Sequence, residues 1–264
     1  MRIVSLASGS AANAYCVESG GDVLLVDCGL SCRELVRRCT LARIDPARIV
    51  AAVFTHNHSD HVKGAGTFHS KFPHVPLYAN FMTADAIAAS TGVDPGDFAI
   101  FENGQPFSAG AFEVRAFSIP HDVPDPVGYT IEAEGLVYFH ATDVGAPLDS
   151  VGFHLSLADA ATLEFNHDPQ MLAASSREES LKRRIRGPRG HLSNPDAARL
   201  VKDFATNRLS FLALAHLSRE CNAPHLALAA AREAVSAAGL ASVELLALSQ
   251  DETASWTLES RRTP

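Results

Sequence analysis

The chain has 264 residues, of which 47% are hydrophobic and 20% are charged. This composition is typical of a globular protein with a substantial core. The formal net charge is −8 and the isoelectric point is about 5.8, which excludes a uniformly basic nucleic-acid coat but allows a local basic patch. We predict a single domain over residues 1–258 and a flexible tail over residues 259–264.

The cysteines indicate a reducing compartment. Their number is odd, and their spacing predicts neither a disulfide framework nor a structural zinc site. We therefore expect reduced, mostly buried thiols in a cytoplasmic protein. No secretory apolar segment follows the N-terminus, and no apolar run reaches the length of a membrane span, so we predict no membrane partner. The cysteines are Cys16, Cys28, Cys32, Cys39 and Cys221.

Short apolar runs bounded by turn residues predict strands, and longer runs with helix caps predict helices. The predicted strands are residues 2–6, 14–18, 23–26, 49–55, 75–78, 99–102, 112–119, 129–134, 136–140, 161–165, 209–216, 243–248 and 255–258. The predicted helices are residues 31–42, 62–72, 82–91, 194–206 and 224–238. Strand clusters flank helices in both halves without a linker between them. We therefore predict two sheets inside and helices outside, rather than a doubly wound parallel sheet.

One polar stretch directly follows the apolar strand at residues 49–54. Residues 55–61 read THNHSDH. After a strand, His56 and His58 point the same way, while Asp60 and His61 fall on the next turn and reach a second position nearby. This geometry suits two adjacent metal ions. A polar loop that is merely rich in histidine is the alternative, which the spacing and the preceding strand disfavour.

Three further candidate ligands stand where predicted apolar strands end, namely His121, Asp143 and His216. A hydrogen-bonded polar strand terminus would explain any one of them. Three such termini after the THNHSDH stretch favour a shared metal site instead. Asp27 also ends a strand and is followed by Gly29, so it is a candidate functional acid, with a role at a helix N-terminus as the alternative.

The ordered set from Asp27 to His216 resembles the metallo-β-lactamase superfamily. The resemblance implies an α/β fold, an αββα sandwich of two mixed sheets with helices on both outer faces. It also implies roles for the individual side chains. One metal would be held by His56, His58 and His121, the other by Asp60, His61 and His216, with Asp143 as the bridge and Asp27 orienting the histidine motif.

Several shorter motifs are similar to the YycJ/WalJ-like exonuclease branch, which is related to ribonuclease Z. They are SLASGS at residues 5–10, EFNHD at 164–168, GHLSN at 190–194 and HLS at 216–218. The sequence departs from the branch at Asn57, where an acid is usual, and in the small residues Ala11, Ala12 and Ala14. None of these positions is a candidate ligand, so the departures bear on the substrate rather than on the chemistry.

The resemblance implies a metal-dependent phosphodiester hydrolase, and most of all a DNA exonuclease. Its nucleophile would be a hydroxide that bridges two divalent ions. Zn²⁺ is the default for a site rich in histidine, with Mn²⁺ or Fe²⁺ as alternatives. We expect His191 to stabilise the transition state or to protonate the leaving oxygen, helped by Glu164 or His167. Asp60 is counted among the catalytic residues as well, and Asn194 is expected to cap the next helix.

A basic stretch directly precedes His191. Five cations lie within residues 181–190 of an otherwise acidic chain. A solvated helix face is one interpretation. The other is that these side chains hold the phosphates of a nucleic-acid strand, DNA rather than RNA, in a way that depends on salt but not on sequence. The cations are Lys182, Arg183, Arg184, Arg186 and Arg189.

Three alternative functions stay open at this point. A phosphodiesterase for small nucleotide substrates fits the acidic balance, although the basic stretch counts against it. A thioesterase of the glyoxalase II kind would use the same ligand set. A non-catalytic binding protein on the same fold is disfavoured, because a decayed site would be expected to have lost a ligand. The sequence predicts no oligomeric state.

Overall fold

The computed structural model describes residues 1–259, so the predicted tail lies outside the described residues except for Glu259. Within this range the strands form two seven-stranded sheets. The strands are β1 (Arg2–Ala7), β2 (Ala14–Ser19), β3 (Asp22–Val26), β4 (Ile49–Val53), β5 (Leu77–Ala79), β6 (Phe98–Ile100), β7 (Pro106–Ala109), β8 (Phe112–Ser118), β9 (Val127–Ala133), β10 (Leu136–Ala141), β11 (Ala160–Glu164), β12 (Phe211–Ala215), β13 (Glu244–Ala247) and β14 (Ala254–Thr257).

The helices connect these strands. They are α1 (Cys32–Leu41), α2 (Ser59–Val62), α3 (Ala65–Lys71), α4 (Phe81–Thr91), α5 (Asp149–Ser156), α6 (Pro169–Ala174), α7 (Glu179–Arg186), α8 (Asn194–Phe204) and α9 (Pro224–Ala237). Among residues 1–259, no helix is both long and apolar enough to cross a membrane. All five cysteines are free and buried, as predicted.

The order of the first sheet is β14-β1-β2-β3-β4-β5-β6, and that of the second is β13-β12-β11-β10-β9-β8-β7. Their inner faces meet in a core that contains Tyr15 and Val53 from the first sheet and Tyr129 and Tyr138 from the second. Helices α1, α3 and α4 cover the outer face of the first sheet, and α5, α8 and α9 cover that of the second. The predicted αββα sandwich of two mixed sheets is confirmed. Residues 1–258 as a single domain stays a prediction.

Strand direction decides where the candidate site lies. Strands β3 and β4 are parallel, as are β10, β11 and β12. Strand β9 is antiparallel to both β8 and β10, so β8 and β10 run the same way. The carboxyl ends of parallel strands share one edge of a sheet. The residues that follow these strands therefore gather at common edges, which is where the candidate ligands stand in the sequence.

Two predicted elements differ from the structure for identifiable reasons. The helix predicted over residues 62–72 is divided into α2 and α3 at Gly64, whose N–H donates to Cys28 O at 2.9 Å. A Cβ on Gly64 would lie 2.0 Å from Leu30 O, so this close approach requires glycine. The cap of α8 is Ser193, whose Oγ accepts from Asp196 N at 3.2 Å, and not Asn194 as predicted.

Four elements were not predicted from the sequence, namely β7, α5, α6 and α7. Strand β7 lies at the edge of its sheet and has only four residues, the first of which is a proline, so its sequence signal is weak. Helix α7 consists mainly of charged residues, and only Lys182 and Ile185 in it are buried. Its only apolar residues are Leu181 and Ile185, and eight residues with two apolar positions are too short a pattern to predict a helix from the sequence.

Candidate metal centre

The Asp27 carboxylate lies beneath the THNHSDH stretch and fixes its shape. It is fully buried, directly after β3, with a φ of 60°. Its Oδ1 accepts a hydrogen bond from Thr55 N at 2.9 Å, and its Oδ2 accepts one from Thr55 Oγ1 at 2.8 Å. The same Oδ2 lies 2.7 Å from His61 Nδ1. Because His61 Nδ1 carries the proton in this contact, Nε2 is the nitrogen left for a metal.

The backbone around this carboxylate interlocks with the turn at Asp60. Cys28 N donates to His61 O at 2.7 Å, and Asn13 N donates to Asp60 O at 2.7 Å. A Cβ on Gly29 would lie 1.7 Å from Asp60 O, so no larger residue fits without moving the turn. The Asn13 side chain also donates to Asp60 Oδ2 at 3.1 Å. The position of the Asp60 carboxylate therefore depends on Asn13 and Gly29.

The structure brings the predicted ligands together in two groups. The ligand atoms of His56, His58 and His121 lie within 4.8 Å of one another. Those of Asp60, His61 and His216 do the same. In the first group His121 Nε2 is 3.2 Å from His58 Nδ1. In the second, Asp60 Oδ2 is 3.5 Å from the Nε2 atoms of both His61 and His216.

Asp143 lies between the two groups. Its Oδ1 is 3.7 Å from both His121 Nε2 and His216 Nε2, while its Oδ2 is 3.1 Å from His61 Nε2. The residue has a φ of 59°, a left-handed conformation that is uncommon outside glycine and clusters at functional sites. This is the position that the family resemblance implies for a bridging carboxylate.

The donor atoms at this centre fit a divalent metal. Within the described chain, His56 Nε2, His216 Nε2 and Asp143 Oδ2 are buried without a hydrogen-bond partner. An unsatisfied buried polar group costs about 1–3 kcal/mol, so three together call for a ligand that takes their lone pairs. Burial also lowers the pKa of His56 well below its usual value, which favours the neutral imidazole that binds metal.

Glu164 anchors two histidines at once. It ends β11 and is fully buried. Its Oε1 lies 2.9 Å from His191 Nδ1 and 3.1 Å from His216 Nδ1, and its Oε2 accepts from Val144 N and Leu192 N at 2.8 and 3.1 Å. Burial alone would raise the pKa of Glu164. The charge on His191 and the hydrogen bonds from both histidines lower it to about 2.

Comparison with known proteins identifies the family to which the chain belongs. A family model described as "Beta-lactamase superfamily domain" matches residues 23–212. The chain belongs to the metallo-β-lactamase superfamily. It is 34% identical over 225 residues to "Exodeoxyribonuclease WalJ" of Streptococcus pneumoniae serotype 2, covering 84% of this chain and 83% of the relative. It is 35% identical over 223 residues to "Exodeoxyribonuclease YycJ" of Bacillus anthracis, covering 84% of each.

A solved structure with the same architecture is the metallo-β-lactamase fold protein YhfI from Bacillus subtilis. The TM-score is 0.70 at 19% identity, covering 97% of this chain and 98% of that one. At this identity the similarity shows the metallo-β-lactamase fold alone. The predicted family and its exonuclease-like branch are confirmed, and a centre for divalent metal follows from the family together with the histidine and aspartate clusters.

In this member of the metallo-β-lactamase superfamily, a cavity of about 190 Å³ opens over the centre. Its walls include candidate ligands, His191 and two arginines, Arg177 and Arg184. Glu164 contacts His191, whereas His167, the other predicted partner, is buried and does not line this cavity. The catalytic role of His167 stays a prediction without a contact to support it.

The five predicted phosphate-binding cations differ in where they point. Only Arg184 lines the cavity, where its Nε donates to Asp122 Oδ2 at 2.5 Å. Lys182 is buried and donates to Ala173 O at 3.0 Å, so it faces the protein rather than a substrate. The remaining three are exposed outside the cavity lining. They are Arg183, Arg186 and Arg189.

Arg177 is a cavity residue that was not predicted from the sequence. It lies outside the basic stretch of residues 181–190, so charge density gave no signal for it. Its Nε donates to Glu220 Oε2 at 2.9 Å, and the side chain lines the cavity. Asn166 was not predicted as a support either. Its Nδ2 donates to His216 O at 2.9 Å, which holds the backbone of a candidate ligand.

We expect Asp27→Asn to weaken metal binding by about 10–100-fold, the usual cost of losing a hydrogen-bonded support of a ligand. The amide cannot accept from both Thr55 and His61 as the carboxylate does, so the His61 ring loses its orientation. Competition with a chromophoric chelator measures the affinity. Asp22→Asn, at the opposite end of β3, is the matched control and should leave the affinity unchanged. Equal affinities in the two variants would contradict this role for Asp27.

We expect Gly29→Ala to lower both the free energy of unfolding and the bound metal, because the new methyl group overlaps Asp60 O. Gly135→Ala is the matched control. Gly135 has a φ of +73°, but a Cβ added there would meet no heavy atom within 4 Å, so this change strains the backbone by about 1 kcal/mol without touching the centre. Chemical denaturation and elemental analysis measure the two effects. A Gly29→Ala protein with full metal content would show that the turn tolerates displacement.

Proposed function

We propose that this protein is a divalent-metal-dependent phosphodiester hydrolase that digests DNA from strand ends. The observation that carries the proposal is the pair of guanidinium groups, Arg177 and Arg184, in the wall of the cavity over the metal centre. Guanidinium is suited to phosphate oxygens by both charge and geometry. The similarity to two exodeoxyribonucleases over 84% of the chain supports the choice of DNA.

We assign two ions to the centre, with Zn²⁺ as the default metal. His56, His58 and His121 would hold one, and Asp60, His61 and His216 the other, with Asp143 shared between them. When bound, such ions withdraw charge from a phosphoryl oxygen and lower the pKa of a nearby water. Histidine with a few carboxylates is a ligand set typical of zinc, although Mn²⁺ and Fe²⁺ accept it as well.

The side chains around the metals orient the substrate and supply a proton. Arg184 and Arg177 bind phosphate oxygens of the strand and so position the scissile bond. Glu164 engages His191 Nδ1, which leaves Nε2 as the ring nitrogen available to substrate. We assign His191 the protonation of the leaving oxygen, with Glu164 as its positioning partner. Asp60 contributes as a metal ligand beside this reaction.

A phosphodiesterase for small nucleotides is the second candidate. Two features favour it. The cavity of about 190 Å³ is small, and a net charge of −8 repels a long polyanion. The two arginines that line the cavity and the similarity to two exodeoxyribonucleases favour the nuclease. The free, buried cysteines support our proposal of a cytoplasmic location, since the cytoplasm keeps thiols reduced.

The deciding assay uses end-labelled single- and double-stranded DNA and RNA of one sequence. We expect mononucleotide release from DNA ends, loss of activity in Asp60→Ala, and a loss of about 10²–10⁴-fold in His191→Ala. Bis(p-nitrophenyl) phosphate has a leaving group that needs no proton, so His191→Ala should spare its hydrolysis. Chelation should abolish activity and metal return should restore it.

Other outcomes of this assay would overturn parts of the proposal. Cleavage of circular DNA at the rate of linear DNA would show an endonuclease. Digestion of RNA but not of DNA would show that the substrate is RNA. Hydrolysis of the small diester without any polynucleotide cleavage would favour the second candidate.

The cavity position of Arg184 gives a second test. Arg184→Ala should weaken DNA binding and reduce the slope of log affinity against log salt by about 1, the value for one lost phosphate contact. Arg186→Ala is the matched control, since Arg186 lies on the same helix but outside the cavity lining. Binding isotherms at several salt concentrations measure both. Identical slopes for the two variants would show that Arg184 does not bind a phosphate of the DNA.

A further inference from the structure

Three large apolar side chains are exposed where two neighbouring strands of the first sheet end. Phe81 is 72% exposed, the highest value among the large apolar residues of the described chain, and Met82 is 52% exposed. Both begin α4, directly after β5. Ile100, which is 50% exposed, ends β6, and β6 pairs with β5 through Ala79 and Ile100. We call Phe81, Met82 and Ile100 the apolar rim.

The strand register places the apolar rim beside the metal centre. Strands β4 and β5 are parallel and pair Val53 with Tyr78. The contact continues beyond the strands, because Phe54 N donates to Tyr78 O at 3.0 Å. His56 follows the end of β4 by three residues and Phe81 follows the end of β5 by two, so both lie beyond the carboxyl ends of neighbouring parallel strands, which are about 4.8 Å apart. Phe81 is therefore at the same edge of the sheet as the candidate metal ligands.

Hydrogen bonds hold the rim to the loop that follows His121. Asn80 caps α4, with Oδ1 accepting from Thr83 N at 2.9 Å, and its Nδ2 donates to Asp125 O at 2.8 Å. Asn103 Nδ2 donates to Asp125 Oδ1 at 2.8 Å. Asp125 lies four residues after His121, so the network links the start of α4 to the wall of the centre. These hydrogen bonds fix the backbone that carries the Phe81 ring.

The cavity suits the phosphate of a nucleotide but offers little surface to its base. Its volume of about 190 Å³ is lined mainly by polar and charged side chains, of which the metal site and the two arginines, Arg177 and Arg184, suit a phosphate. A base has no apolar surface to contact there except Leu181 and Ile185. An aromatic ring on the adjacent rim offers the surface that the base needs, and every base stacks on such a ring because each has a π-face.

We propose that Phe81 is a stacking platform for an unpaired base of the strand whose phosphate lies at the metal centre, with Met82 and Ile100 beside it. This inference rests on the proposed function and specifies its substrate as a single-stranded or frayed end. A protein partner is the less suitable occupant. Stable protein interfaces bury about 800 Å² on each side, which three side chains do not supply. The charged cavity next to the rim also matches a polyanion.

The test compares Phe81→Ala with Phe81→Trp and with the matched control Phe153→Ala. Phe153 is 59% exposed on α5, which covers the outer face of the second sheet. The substrates are a single-stranded DNA oligonucleotide and the same strand with abasic sites at its terminal positions. Hydrolysis of bis(p-nitrophenyl) phosphate by each variant reports whether its metal centre is intact.

We expect Phe81→Ala to raise KM for the base-bearing strand about 5–150-fold, the equivalent of one lost base–aromatic stack, with little change in kcat. The abasic strand should show no difference between Phe81→Ala and the unmodified protein. Phe81→Trp should keep the low KM, because indole stacks at least as well as phenyl. Phe153→Ala should match the unmodified protein on both strands.

A fluorescence measurement tests the contact without turnover. The one tryptophan of the sequence, Trp256, is 6% exposed and stacks on Phe211 at a centroid distance of 4.8 Å. The indole introduced by Phe81→Trp is therefore the one open to substrate. A phosphorothioate oligonucleotide that resists hydrolysis should quench it in the metal-loaded protein, and an abasic strand should not.

The outcomes separate this inference from the proposed function. DNA digestion with an unchanged KM in Phe81→Ala would overturn the stacking role and leave the nuclease standing. Absence of any polynucleotide digestion would overturn the nuclease, and the quenching experiment would then decide the stacking role separately. A Phe81→Ala protein that sediments as a smaller species, with unchanged KM, would show that the rim joins two copies of the chain.

Discussion

The buried carboxylate of Asp27 is the interaction on which the centre depends. Removing a carboxylate from water is costly unless donors replace the lost hydration. Here the donors are the backbone and hydroxyl of Thr55 and the ring of His61. The same contacts that stabilise the charge determine the path of the THNHSDH stretch. The acid at the end of β3 therefore orients the ring of the candidate ligand His61, which an apolar residue could not do because it accepts no hydrogen bond.

Left-handed backbone at three strand ends is the second constraint. Asp27, Asp143 and His216 have φ values of 60°, 59° and 54°. Such conformations cost about 1–3 kcal/mol each and persist only where the surroundings enforce them. At His216, hydrogen bonds hold the backbone in this conformation. Its N–H donates to Ser8 Oγ at 2.8 Å, and Ser8 Oγ also accepts from the buried hydroxyl of Tyr15 at 2.8 Å. The SLASGS segment thus supports a ligand more than 200 residues away in sequence.

The ligands could be predicted because their signals are local. Alternation places His56 and His58 on one side of the chain, and an apolar run that ends in His121, Asp143 or His216 marks a strand end. Common strand direction then brings those ends together. The backbone angles could not be predicted, because Asp and His also occupy ordinary conformations and only the tertiary contacts select the left-handed one.

The charge pattern of α7 does not show which of its side chains line the cavity and which face the protein. Lys182 and Arg184 are two positions apart, which is about 200° around a helix with 3.6 residues per turn. One therefore faces the protein while the other lines the cavity. Charge density was the same for both, and only the packing of Ile185 fixes which face is turned inward.

Glu164 makes the metal centre and the candidate acid one unit. Its Oε1 meets the Nδ1 atoms of both His216 and His191, so the ligand and the proton donor share one anchor. The backbone N–H groups of Val144 and Leu192 hold its other oxygen, and Val144 directly follows Asp143. His191 is therefore connected to Asp143 and His216 through this carboxylate, and it also contacts both directly, because its Nδ1 is 3.5 Å from Asp143 Oδ1 and its ring stacks on that of His216. Shared hydrogen bonds of this kind hold the candidate acid His191 in a fixed position relative to the candidate ligands.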